Sequence, residues 1–78
     1  MKRKKSDAFG PVLRQLRDAK NLSQEQLAER VDVSGSFISA LESCQKYPNL
    51  EMMFHIAEAL EVKPSALIAA MEERLGIS

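Results

Sequence analysis

An all-α domain of five helices, with no strand, is predicted by three features of this 78-residue chain. Apolar residues recur at spacings of three and four from Phe9 to Leu75, as the buried stripe of a helix requires. Ser23, Ser34 and Asn49 each precede such a segment, where a short polar side chain can accept from a first-turn amide. Pro11 and Pro64 suit first turns, and Asn21 and Gly76 suit the left-handed residue that stops a helix.

Residues 1–6 lack periodicity and are expected to be a disordered basic arm, leaving 7–78 as one domain. The first helix is expected over about 8–20, with Phe9, Val12, Leu13 and Leu16 inward. At Ser23 a capping box is available: the hydroxyl accepts from the Gln26 amide while the Gln26 side chain reaches back. Leu27, Ala28 and Val31 then face inward until Asp32 and Val33 lead directly to Ser34. The third helix turns Ile38 and Leu41 inward, and Gly35, Ser36, Ser39, Ala40 and Ser43 outward. Residues 44–49 form a loop fixed by Tyr47-Pro48. The fourth helix is expected over about 50–61, with Leu50, Met53, Ile56, Ala57 and Leu60 inward. The fifth runs from Pro64 to Leu75 and spends Leu67 and Ile68 on the core. Two short helices joined by a tight turn, the second with a small polar outer face, form a helix-turn-helix over about 23–43, the arrangement that reads DNA.

Composition narrows the chemistry. A chain of this length buries about 60–65% of its unfolded surface, so self-association would add needed stability. No apolar run is long enough for a membrane span. The basic start leads into Ser6, Asp7 and a helical pattern rather than an apolar signal-peptide core, so a cytoplasmic location is expected. Cys44 is the one cysteine and His55 the one histidine, which leaves no disulfide, no zinc site and no metal cluster to assemble. His55 shares the outer face of its helix with Glu51 and Glu58. Acids are scattered over helix exteriors, so no catalytic residue and no cofactor are expected. Net charge is zero, but residues 2–5 hold four of the eleven basic residues and none of the eleven acidic ones. The rest of the chain is therefore acidic, and the molecule should be a dipole, positive at the arm and negative toward its C-terminal end.

The spacing of Gln24, Leu27-Ala28, Val33-Ser34, Ile38-Ser39, Leu41-Glu42 and Lys46-x-Pro48-x-Leu50 resembles the signature of the Xre/Cro-type repressor domain. The resemblance extends to Leu13-Arg14-Gln15-Leu16-Arg17 and to Ile56–Val62, and covers about residues 9–68. It implies a five-helix lambda-repressor-like fold that binds double-stranded DNA as a homodimer. By the same resemblance Gly35, Ser36, Ser39 and Ala40 face bases, while Gln24, Ser43, Lys46 and Tyr47 face phosphates. Arg17 and Glu42 take the places of a structural ion pair that ties the first helix to the third. The family glycine after that glutamate is replaced by Ser43-Cys44, so the exit of the third helix is expected to differ.

The base-facing positions carry no side chain with a bidentate fork, so direct readout should be sparse. Either DNA shape and the arm, Lys2-Arg3-Lys4-Lys5, supply specificity and further phosphate contacts, or DNA binding is weak. The dimer contact is expected from Phe54, Leu67, Met71 and Leu75, on and beside the last helix (64–75), because Met71 and Leu75 lie beyond the core of so small a domain. The resulting reading is a sequence-specific transcriptional regulator, a repressor at an operator, similar to restriction–modification controller proteins and phage repressors. A second reading is a protein-interaction module or antitoxin of the same fold, with another protein as its partner and weak DNA binding.

Overall fold

Ser23, Ser34 and Asn49 each accept a hydrogen bond from the backbone amide three residues ahead, at 3.0, 3.1 and 2.7 Å. These caps fix where three helices begin. The computed structural model describes residues 4–77 and contains a 3-10 turn, Lys5–Ala8, followed by five helices. They are α1 (Phe9–Ala19), α2 (Gln24–Val31), α3 (Gly35–Glu42), α4 (Leu50–Ala59) and α5 (Pro64–Leu75). No strand occurs among the described residues. The capping box at Ser23 is complete, with Gln26 returning a 2.8 Å bond to the Ser23 amide.

All five helices end in the same way. Asn21, Asp32, Cys44 and Glu61 take φ of 57, 64, 63 and 59°, and Gly76 takes 74°. The residue after each donates to the carbonyl five positions back: Leu22 to Arg17, Val33 to Ala28, Gln45 to Ala40, Val62 to Ala57, Ile77 to Glu72. This Schellman arrangement satisfies carbonyls that the helix leaves open. Leu22, Val33 and Val62 pack in or against the core as they leave. A left-handed residue other than glycine, asparagine or aspartate costs about 1 kcal/mol, and the chain accepts that cost at Cys44 and Glu61. At Cys44 the exit of α3 keeps its left-handed turn, where a different exit was expected, because backbone bonds and the Cys44 Sγ contact to Asp7 O at 3.3 Å hold it.

Phe9, Leu13, Leu27, Ile38, Leu41, Ile56, Leu60 and Leu67 form the sealed centre, so every helix contributes to one core. The α1 and α3 helices approach closely at Gly10, where a Cβ would stand 2.5 Å from Glu42 O and 2.8 Å from Leu41 O. Only glycine permits that crossing. The α2 and α4 helices are joined where Arg30 Nη1 donates to Ala59 O at 3.1 Å, one of the open carbonyls at the α4 exit.

Four expectations need correction. Leu50 was expected inward but is 70% exposed, because it lines an open groove between α4 and α5 rather than the core. On α5, Leu67 is 1% exposed and Met71 packs against the core, whereas Ile68 is 41% exposed. Leu67 and Met71, one turn apart, share the inner face, and Ile68 is rotated out of it. Lys5 and Ser6 belong to the 3-10 turn rather than to a disordered arm, since Asp7 and Ala8 dock and order the residues before them. That turn also lies against the end of α5, so the root of the arm is not at the pole opposite the C-terminal helix. Lys2 and Arg3 lie outside the described residues.

Candidate nucleic-acid interface

The frame beneath the α2–α3 pair is polar and closed. Arg17 donates from Nε to Glu42 Oε2 at 2.6 Å and from Nη2 to Oε1 at 3.1 Å. Its Nη1 donates to Leu22 O at 2.7 Å, gripping the segment that leads into α2. Gln24 Nε2 donates to Glu42 Oε1 at 3.0 Å. One carboxylate thus joins α1, the start of α2 and the end of α3. Both side chains of the ion pair are nearly sealed, and such a bidentate fork fixes orientation as well as charge. The Glu42 hydrogen bond, opposed by burial and aided by the charges of Glu42, Asp18 and Glu25, holds the Arg17 pKa above its ordinary value.

Ser36 and Ser39 are exposed on α3, and Gly35 and Ala40 are half-buried beside them. Gly35 abuts α2: a Cβ there would lie 3.4 Å from Glu25 Oε1, which sets a carboxylate beside the start of α3. The face is small, polar and open, and it carries no long donor. Gln24 begins α2, and its backbone amide lies in the first turn, where no intrahelical acceptor exists. With Glu42 holding one side-chain amide hydrogen, Gln24 keeps a second hydrogen to offer outward.

The residues after α3 are less free than the sequence suggests. Ser43 Oγ donates to Ala40 O at 3.3 Å. The Tyr47 hydroxyl donates to the Asp7 carboxylate, and this bond is the main cause of a phenol pKa above its ordinary value. Lys46 Nζ stands 5.7 Å from the centre of the Phe37 ring, and Lys4 Nζ stands 5.7 Å from that of Tyr47. Both distances suit a cation–π contact. Two of the four arm cations, Lys4 and Lys5, are described and exposed.

Of the residues expected at a dimer contact, Phe54 and Leu67 line one groove, whereas Met71 and Leu75 lie elsewhere. Phe54 lines an apolar groove of about 510 Å³ with Leu50, Met53, Pro64 and Ile68, between α4 and α5. Leu75 lies in a different cleft, beside Lys4, Asp7 and Arg74. Met71 is turned toward the core, and Leu67 is buried in it. The sequence reading missed Asp7, Glu25, Arg30 and Phe37, whose contacts all cross between elements. Only Gly10 gave a local signal, as an isolated glycine inside a helical pattern.

The fold and this face define a helix-turn-helix domain. A helix-turn-helix family model matches residues 13–67. The chain belongs to that family, in its Xre/Cro-type branch. It is 44% identical over 64 residues to the HTH-type transcriptional activator BcrR of Enterococcus faecalis, a match covering 82% of this chain and 31% of that protein. The chain therefore spans about a third of that relative's length. It is 38% identical over 61 residues to the control protein C.BamHI of Bacillus amyloliquefaciens, covering 77% of this chain and 75% of that one. Among solved structures it is similar to the restriction–modification controller protein C.AhdI of Aeromonas hydrophila. That match has a TM-score of 0.74 and 38% identity, over 77% of this chain and 91% of that one. No helix among the described residues is long and apolar enough to cross a membrane.

Proposed function

We propose that the chain is a DNA-binding transcriptional regulator that reads an operator with α3 as a homodimer and acts as a repressor. The observation that carries the reading is the open outer face of α3, set beside the start of α2 on the closed Arg17–Glu42–Gln24 frame. A helix N-terminus and a small-faced helix can then meet phosphate and groove together. With Ser36 and Ser39 as the polar groups of that face, each contact is a single hydrogen bond, and DNA shape must supply much of the discrimination. Gln24 and Lys46 serve as phosphate contacts, with Lys4, Lys5 and the residues before them adding charge.

The test is capture and sequencing of genomic fragments on the tagged chain, followed by affinity measurements over a salt series. A recurring paired motif is expected, with log affinity falling by about 0.9 per phosphate neutralised as log salt rises. No enriched motif together with a flat salt response would exclude the reading.

The homodimer is proposed through the α4–α5 groove, because Leu50, Phe54 and Ile68 are exposed together there. Two copies related by a two-fold would cover each other's groove and present two α3 helices to two half-sites. The protein-interaction reading uses the same groove, supported by the zero net charge. Sedimentation separates the two readings: a dimer at tens of micromolar supports the first, and a monomer that ignores DNA supports the second.

A further inference from the structure

The 3-10 turn is held from two sides. On one side the Tyr47 hydroxyl donates to the Asp7 carboxylate and Cys44 Sγ donates to Asp7 O. The Lys4 ammonium stands over the Tyr47 ring. On the other side the turn meets the end of α5 in a cleft of about 370 Å³ lined by Lys4, Asp7, Ala8, Arg74 and Leu75. Ala8 is buried where the turn enters α1. Lys4 thus stands beside the loop that follows α3.

We propose that the Asp7–Tyr47 pair is a latch that holds Lys4 and Lys5, the root of the basic segment, against the DNA backbone flanking α3, with Lys4 as a phosphate contact. The proposal rests on the DNA-binding reading above and adds Asp7 and Tyr47 to it as positioning residues. Tyr47 then works through the arm, because its one hydroxyl hydrogen is already committed to Asp7. The charge distribution gives the latch its purpose. Residues 2–5 are four consecutive cations, and the remainder of the chain is acidic. Lys4 stands over the Tyr47 ring, and Lys46, the residue before Tyr47, stands over Phe37 of α3, so cations lie both at the latch and at α3. A cation held near its target loses less freedom on binding than one on a loose tail, which is how such a latch raises affinity without touching DNA.

Tyr47→Phe is the discriminating variant: it keeps the ring under Lys4 and the net charge, and it removes only the bond to Asp7. In the free protein, trypsin should cut after Lys4 and Lys5 about tenfold faster in the variant, because cleavage follows local opening. On DNA the substitution should weaken binding about three- to tenfold and flatten the salt slope by about one for each arm phosphate lost. The decisive measurement repeats the substitution in a chain lacking residues 2–5. There it should change affinity less than twofold, since two groups acting through one path are not additive. An equal loss in both backgrounds would show that Tyr47 meets DNA by itself and would overturn the positioning role. Unchanged cleavage would remove the latch. Failure of the wild-type chain to bind duplex DNA would refute the functional reading and the positioning role together, while cleavage would still decide whether the latch exists.

Discussion

Around Glu42, three helices meet through polar groups whose hydrogen bonds are made within the chain. Between α4 and α5, a leucine, a phenylalanine and an isoleucine are left facing outward around a groove. The first region is complete in one copy, and its bidentate geometry gives α2 and α3 a single relative orientation. The second is open, and a contiguous exposed apolar surface of this kind is a feature of interaction sites rather than of a closed core. The contrast separates what orients the reading helix from what would pair two reading helices.

The sharpest break in the first region is Arg17→Ala. It strands Glu42 in a nearly sealed site and should lower stability by about 3–5 kcal/mol in urea unfolding. Arg14→Ala is the control: Arg14 is exposed, stands 3.9 Å from Asp18, and should cost under about 1 kcal/mol. Equal unfolding midpoints would show that the two arginines are equivalent and the frame carries no special weight.

Gly10→Ala comes next. The added methyl meets two backbone carbonyls and Cys44 Sγ at under 3 Å, so α1 or the end of α3 must shift. A loss of about 3 kcal/mol is expected, at the upper end of overpacking costs. Because the shifted carbonyl belongs to Glu42, DNA affinity should fall along with stability. An alanine variant that unfolds at the wild-type midpoint would mean that the crossing is looser than its geometry.

The groove is tested by Phe54→Glu, which should leave folding stability within about 1 kcal/mol of wild type, since Phe54 is 52% exposed. Sedimentation should nevertheless show dissociation of the proposed dimer, and DNA affinity should fall with it. A variant that remains dimeric would place the contact elsewhere.

The smallest effect expected is optical. Tyr47 is the single tyrosine in a chain without tryptophan, so phenolate absorbance reports it alone. Its pKa is raised above the ordinary 10.0, chiefly by the bond to Asp7. The latch is therefore intact below pH 10 and is lost as pH rises through the raised midpoint. In Asp7→Ala the midpoint should return to the ordinary value, and a midpoint identical to wild type would mean that the two groups do not meet in solution.

The helices were legible because their signals are local. Ser23, Ser34 and Asn49 cap within three residues, Pro64 starts α5, and Asn21 and Gly76 end their helices. The exits at Cys44 and Glu61 were less legible, since those residues are poor at positive φ and are held there by backbone bonds. Periodicity gave the faces of α4 and α5 to within one residue, and that margin misplaced Leu50 and Ile68. What stayed hidden depends on neighbours distant in sequence: Asp7 on Tyr47, Arg30 on Ala59, Gln24 on Glu42. The candidate site was visible as a pattern of positions, and its wiring was not.

The repeated helix exits carry a kinetic consequence. The first four turn the chain sharply toward the next helix, and the connections between helices are three to seven residues long. Closing a short loop costs little entropy, and helical domains dominated by such closures fold in microseconds to milliseconds. The main long closure is the return of α5 onto α1 and the 3-10 turn. The α1–α3 unit can therefore assemble before α5 docks, and the groove, which needs α5 in place, is completed last.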